Sequence, residues 1–299
     1  MDTILQQLLN TIMLRPYVFV FLAAYIAGCS MHLGLKRAIA FGVAGYLITW
    51  ASEFSSIHTG IPYGYYYYIE QTKGYELWIF GVPFMDSLSY IFLTYASYSM
   101  ALFTVSPLIC SSGMFYLLET KKLRNSLFTT LLGAMYLVYL DIIIDPVALR
   151  GSRWFLGQIY GYPFGGVYFG VPIANFIGWL VVGFILVFVL QRVDELLGRR
   201  GTRDYIAFDS GLRHMIGPGL YAGIVVFNIF MTFFIGEYNI GWVDIFIVVM
   251  PLFLLWAISH IKNTMGDTVA CLDAHVRDFP GAARLACDIA RAASVRRAS

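Results

Sequence analysis

Four carboxyl groups sit where this chain has to bury them. Glu53, Asp86, Asp141 and Asp145 each lie near the end of a long apolar run, and one threading of those runs brings all four to the same side. Ionisable groups at such depth are costly and mark a functional site by default. A carboxyl buried beside a second acid can keep its proton at neutral pH and serve as a general acid. Protonating an alkene gives a carbocation, which aromatic faces stabilise without capturing. A second, ionised carboxylate can then orient water as the nucleophile. Hydration or cyclisation of an apolar polyene fits these parts.

Asp141 and Asp145 stand one turn apart on one helical face and are the first choices for the proton donor. Asp145 precedes Pro146, where the helix is expected to be interrupted. Glu53, Asp86 and Asn175 are expected to hold the water, and Trp50, Tyr65, Tyr168 and Trp179 to supply aromatic faces to the cation and the substrate. Asp86 and Asn175 also read as first-turn or N-cap residues. Asn228 falls in the same half of its run, and Asp244 reads as interfacial. The opposite halves of the runs hold almost nothing comparable.

The elements that position these groups follow from composition. The chain has 299 residues, 59% hydrophobic and only 13% charged, against about 25% charged in a soluble domain. The reading is an all-α polytopic membrane protein with about seven transmembrane helices. The expected spans are Pro16–Leu35, Ala38–Ile57, Met85–Pro107, Ser126–Leu149, Val171–Gln191, Met215–Gly236 and Ile240–His260, each long enough for a hydrocarbon core of about 30 Å. Residues 1–262 then form the membrane domain and 263–299 a cytoplasmic tail. No cleavable leader is expected, and Ile4–Leu14 reads as a short amphipathic lead-in.

Orientation comes from the basic residues. Four of them (Arg15, Lys73, Arg150, Arg153) fall on the N-terminal side, against ten in the loops of the other side and six more in the tail. The positive-inside rule then places the N-terminus outside, the C-terminus in the cytoplasm and the acids in the outer half. Cys29 and Cys110 lie near inner ends and Cys271 and Cys287 in the tail, so reduced thiols are expected. Arg291, Arg296 and Arg297 could hold the tail on anionic lipid, but a disordered tail is the expectation.

A pattern recurs at an offset of 89 residues: Phe80-Gly-Val-Pro-Phe-Met-Asp86 and Phe169-Gly-Val-Pro-Ile-Ala-Asn175. Each copy follows an aromatic, glycine-rich loop, and each loop follows an acid-bearing run. This predicts an internal two-helix repeat, residues 38–107 and 126–191, running parallel. The run Tyr65-Tyr-Tyr-Tyr68 beside a Gly/Pro turn reads as a lid over the acids, with an interfacial aromatic belt as the plainer alternative.

Other chemistries fit badly. Di-iron hydroxylases need clustered histidines, whereas His32, His58, His214, His260 and His275 are scattered, with only His58 on the acid side. A retinal protein needs a lysine midway along its last span, and Lys262 lies beyond it. Asp141-Ile-Ile-Ile-Asp145 imitates half of a prenyltransferase motif, without a second half. No phosphate-cradling loop or zinc-spaced Cys/His set is seen, so no cofactor, metal or nucleic acid is expected. The acids gather at one face and form no path across, which counts against a proton-coupled carrier.

Glu53, the Gly60–Tyr68 loop, Asp141 through Asp145-Pro-Val147, and Tyr168-Phe-Gly-Val-Pro-Ile-Ala-Asn-Phe-Ile-Gly-Trp179 together resemble the integral-membrane carotenoid biosynthesis family. That family includes hydratases that add water to the open ψ-ends of γ-carotene-type and bacterioruberin-type carotenoids. The resemblance covers roughly residues 20–260. It implies a C=C hydration without a redox cofactor, on a polyene dissolved in membrane lipid. A lycopene-type cyclase is the nearest rival, since it begins with the same protonation. The Ala/Arg-rich tail after about Asp267 lies outside the resemblance.

Overall fold

A computed structural model describes residues 3–111, 114–200, 212–265 and 268–280. In chain order the elements are α1 (Ile4–Leu14), α2 (Pro16–His32), α3 (Leu35–Thr59), β1 (Tyr67–Tyr68), β2 (Trp78–Ile79), β3 (Val82–Pro83), α4 (Phe84–Val105), β4 (Leu108–Ser111) and β5 (Met114–Leu117). There follow α5 (Lys121–Arg124), α6 (Leu127–Ala148), β6 (Tyr160–Gly161), α7 (Ile173–Arg199), α8 (Leu212–Phe234), α9 (Tyr238–Met265) and α10 (Thr268–Asp278).

Helices occupy all seven expected runs. Five of them, α4, α6, α7, α8 and α9, are long and apolar enough to cross a membrane. α1 and α2 together make a sixth, bent by 92° at Arg15. α3 carries Lys36, Arg37 and Glu53 and does not meet that standard. Among the described residues the count is therefore five to six. Local signals set the boundaries: Pro16 opens α2 with its φ already fixed, and the Ser126 side chain accepts from Thr129 N to start α6. α6 runs through Pro146 to Ala148, so the expected interruption at Asp145 does not occur. A proline this close to a helix end removes one backbone bond and leaves little of the helix beyond it to disturb.

α4 is the axis of the bundle, packed on α2, α3, α6, α7 and α8, and nearly every one of its residues from Met85 to Leu102 is buried. Small side chains allow the close approach that membrane helices need in place of a hydrophobic drive. A Cβ on Gly217 of α8 would meet Ser99 Cβ of α4 at 2.3 Å. Large apolar side chains on the outer faces of α3, α6, α7, α8 and α9 are exposed, as a lipid-facing surface requires.

At one end of the bundle two aromatic loops close over the helices. β1 and β6 pair antiparallel, setting Tyr67 opposite Gly161 and Tyr68 opposite Tyr160. The two Phe-Gly-Val-Pro segments adopt one backbone solution: Phe80 and Gly81 have φ of 49° and 84°, Phe169 and Gly170 have 48° and 98°. Two consecutive positive φ values make the primed turn that matches strand twist, here between Ile79 and Val82 and between Tyr168 and Val171. Each turn delivers a proline that opens the next helix, α4 or α7. Gly178 of α7 seats the first loop, since a Cβ there would meet Tyr63 Cδ1 at 2.6 Å and Pro62 O at 2.7 Å. Buried Arg15 ties the bend between α1 and α2 to Glu76 and to the carbonyl of Leu156.

The opposite end is not polar-poor, contrary to the sequence expectation. Arg37 pairs with Asp194 at 2.7 Å, and Arg124 reaches Asp194 at 3.7 Å and Glu119 at 2.8 Å, all of them buried. His32, His214 and His275 gather around Glu119 and are not scattered. They come from elements far apart in sequence, which is why spacing did not reveal them. Burial pushes the Glu119 carboxyl up, but the Arg124 guanidinium and His32 more than offset it and hold the group well below the usual carboxylate range. The start of the tail is ordered as α10, with His275 Nδ1 2.7 Å from Glu119 O and Arg124 4.4 Å from the Phe279 ring. Arg203, Cys287, Arg291, Arg296 and Arg297 lie outside the described residues, while Cys29 and Cys271 are free thiols. Asp244, read as interfacial, is fully buried, and neither carboxylate oxygen has a hydrogen-bond partner among the described residues.

Two outcomes follow for stability in detergent. Glu119→Gln leaves Arg124 short of its partner and is expected to cost about 3–5 kcal/mol. Because the Glu119 carboxyl is held low in the folded state, its stabilisation is fully present above its unfolded value of about 4.3 and is lost as pH falls below that. Thermal unfolding at pH 7 and pH 3.5 checks both statements. Gly178→Ala overpacks the loop contact and is expected to cost about 1–3 kcal/mol at any pH, read by the same melts.

Candidate functional site

The end covered by the aromatic loops is where the acids converge. Glu53 comes from the last turns of α3, Asp86 from the first turn of α4, Asp141 and Asp145 from the last turns of α6, and Asn175 from the first turn of α7. All but Asp86 are at most 5% exposed. Neither Asp86 nor Asn175 caps its helix by a side-chain hydrogen bond. Both side chains are turned inward instead, so capping does not explain them.

One cavity, with about 950 Å³ of empty space including its mouth, is lined by Glu53, Asp86, Asp145 and Asn175. Its apolar end runs between α2, α4 and α8 past Tyr17, Phe21, Phe92 and Phe227. No lysine, arginine or histidine is among the described lining residues. Buried acids therefore have to be satisfied by neutral donors.

Those donors come largely from the loops. Tyr160 OH donates to Asp145 Oδ1 at 2.5 Å and Tyr162 OH to Asp145 Oδ2 at 2.9 Å. Asn175 Nδ2 donates to Asp145 Oδ2 at 2.9 Å and to Asp141 Oδ2 at 2.7 Å. Tyr68 OH donates to Asp86 Oδ2 at 2.7 Å and lies 3.2 Å from Tyr66 OH. Burial, then the charge of Asp145, pushes the Tyr160 and Tyr162 phenols far up, so they stay protonated donors. Burial and then Asp86 do the same to Tyr68. The loops thus form a lid whose hydroxyls bond the carboxyls.

Glu53 is held differently. Ser87 Oγ donates to its Oε2, while its Oε1 has no hydrogen-bond partner among the described residues. Asp141 Oδ1 is also unpartnered, but Asp141 sits behind Asp145 and does not line the cavity. The aromatic wall is a stack of Tyr90 on Trp179, with centroids 4.3 Å apart and planes at 9°, flanked by Tyr63 at 6.2 Å from each ring.

Trp179 is the expected aromatic that the structure brings to the cavity. Trp50 stacks on Phe54 and donates to Ile79 O, Tyr65 is exposed beside Gly60, and Tyr168 packs on Phe169 and Phe176; none of the three lines the cavity. His58 is likewise away, bonded to Phe54 O. Sequence reasoning missed Tyr63, Tyr66, Tyr90, Tyr160 and Tyr162. Tyr90 lies on the inner face of α4, and which loop tyrosines turn inward is a matter of register, fixed by the β1–β6 pairing and the Gly178 contact.

The arrangement combines proton-bearing groups, an acceptor ringed by donors, and electron-rich ring faces in a site with an apolar extension. Comparison with known proteins bears on what it acts upon. The chain is 28% identical over 199 residues to the bisanhydrobacterioruberin hydratase of Haloarcula japonica, covering 64% of this chain. It spans about three fifths (59%) of that relative's length. No solved structure matches. A family profile described as carotenoid biosynthesis protein matches residues 8–251, which contain the whole cavity. A carotenoid is the substrate class that this family implies, and the chain belongs to the carotenoid biosynthesis protein family.

Proposed function

We propose that this protein is a carotenoid hydratase that adds water across the terminal C=C of an acyclic carotenoid end. The observation that carries the reading is one cavity holding both an acid with a free oxygen, Glu53, and a carboxylate ringed by donors, Asp145, beside stacked aromatic rings. The named hydratase relative supports it as well. The cavity suits an end group with a few conjugated units, and the remainder of a molecule about as long as the bilayer is thick stays in lipid.

Protonated Glu53 gives its proton to the less substituted carbon of the terminal trisubstituted alkene, leaving a tertiary cation. The faces of Tyr90, Trp179 and Tyr63 and the charge of Asp145 stabilise that cation. Water held by Asp145 and Asn175 attacks the cationic carbon and releases its extra proton to Asp145. Water in the cavity returns that proton to Glu53, so the cycle consumes only alkene and water. Asp141 supports Asp145 through the shared Asn175 amide. The sequence alone favoured Asp141 or Asp145 as the donor, and the hydrogen-bond pattern favours Glu53. Polar groups lining one wall favour capture by water over capture by an internal alkene.

The wider frame belongs to the same proposal. α3 completes seven spans around the cavity, residues 1–262 form the membrane domain, and 263–299 are cytoplasmic. The N-terminus and the cavity face outward, and the shared Phe-Gly-Val-Pro turns come from a duplicated helix pair. Substrate enters sideways from lipid at the apolar end of the cavity, where the rings of Phe21 and Phe227 pack edge to face and would have to part.

Pigment extracts of cells accumulating an acyclic carotenoid test the assignment. Glu53→Gln and Asp145→Asn are each expected to cut hydrated product at least about 100-fold, the scale of a lost general acid or base. Tyr65→Phe should leave it unchanged. When preformed carotenoid is incubated with membranes in deuterated water, the wild-type product should carry one carbon-bound deuterium per hydrated end. Full product from Glu53→Gln contradicts the donor assignment, and product without that deuterium contradicts alkene protonation.

A further inference from the structure

At the end of the bundle opposite the cavity, three segments aim metal-ligand atoms at one another. They are His32 at the end of α2, Glu119 between β5 and α5, and His214 in the first turn of α8. All three are buried, and their ligand atoms lie within 4.8 Å of one another. His32 Nε2 is 2.9 Å from both Glu119 oxygens. His214 Nδ1 is 3.3 Å from Glu119 Oε1, yet that contact is not aligned as a hydrogen bond, and Nδ1 has no partner among the described residues. The His214 contact already has the spacing of two ligands around one ion, while His32, now hydrogen-bonded to Glu119, is closer and would move out by a few tenths of an ångström. With bonds of about 2.0–2.2 Å, tetrahedral ligand atoms sit about 3.3–3.6 Å apart.

We propose that His32, Glu119 and His214 bind a first-row divalent transition metal, zinc foremost, which clamps α2, α8 and the approach to α5 together at this end. Two imidazoles and one carboxylate suit zinc or cobalt, whereas calcium and magnesium take oxygen donors. The surroundings are built to hold the ligands. Arg124 grips both Glu119 oxygens, at 2.8 and 3.1 Å, and the lone pairs that the His32 proton now occupies pass to the ion when that proton leaves. His275 of α10 covers the site, its ring 6.1 Å from that of His214, with its Nε2 buried and unpartnered among the described residues.

Loading requires two changes. His32 Nε2 now donates to Glu119, so its proton must leave Nε2, with Nδ1 keeping the one proton of the neutral ring, before that nitrogen can bind the ion. Arg213 Nε now donates to His214 Nε2 at 3.0 Å, which assigns the imidazole proton to Nδ1. With the ion on Nδ1, the proton sits on Nε2 and the part-exposed Arg213 turns away. Its departure removes a positive charge from beside the cation.

The test uses tag-free full-length protein in detergent, stripped with a chelator and then titrated with zinc or cobalt(II) chloride. Wild type is expected to take up one equivalent, to melt at higher temperature when loaded, and to give visible cobalt d–d bands. His214→Gln and His32→Gln are expected to weaken uptake at least roughly 100-fold and to abolish the cobalt bands, while His58→Gln keeps both. Circular dichroism of the stripped variants distinguishes lost ligation from lost folding. Should a ligand variant fail to fold, the wild-type titration alone decides. No stoichiometric uptake by folded wild type overturns the proposal, as does undiminished uptake by the folded double variant His32→Gln/His214→Gln.

Discussion

A carboxyl group taken out of water must be met by hydrogen bonds, by an opposite charge or by a proton, and the two ends of this bundle answer that requirement in different ways. At the cavity there is no cation among the described lining residues, so tyrosine hydroxyls and one amide carry the load. That choice fixes much else. The donors sit on loops, so the loops must be held over the helix ends, and the β1–β6 pairing and the Gly178 contact hold them. The acids must come from helix termini, and the Phe-Gly-Val-Pro turns open α4 and α7 at the right height. A cation in the walls would meet the same need, but it would repel a carbocation.

The other end uses opposite charges. Arg37, Asp194, Arg124 and Glu119 form a buried chain of ion pairs that joins α3, α7, α5 and the segment before it. Separating the two solutions along the bundle keeps Arg37 and Arg124 at the end opposite the cavity, while buried Arg15 at the cavity end is paired with Glu76 and does not line the cavity. A buried ion chain adds little net stability over a well-packed apolar core, but breaking one member leaves an uncompensated charge. It therefore fixes one arrangement of the helix ends more than it deepens the fold.

The sequence made the convergence of the acids legible because alternating spans leave only two ends, and parity assigns each residue to one. The lid was legible from four tyrosines beside a turn, but its working residues were not. Tyr160 and Tyr162 face Asp145 while Tyr65 and Tyr168 do not, a distinction set by pairing only two residues long. The ion chain was hidden for another reason. Arg37 and Arg124 were counted as loop charges that set orientation, and they prove buried at 2% and 3% exposure. Their partners lie from 5 to 157 residues away in sequence, and no periodicity links positions so unequal.

The central claim is that water adds to an alkene without redox chemistry, and the mass of the product tests it most directly. The chain would be expressed without oxygen, in medium containing heavy-oxygen water, in cells that accumulate lycopene and then in cells supplied with longer acyclic carotenoids. The account predicts a pigment heavier by one water, with its hydroxyl oxygen drawn from the medium. An isomer of unchanged mass would mean that an internal alkene captures the cation. A hydroxyl formed only with oxygen gas would contradict the account altogether.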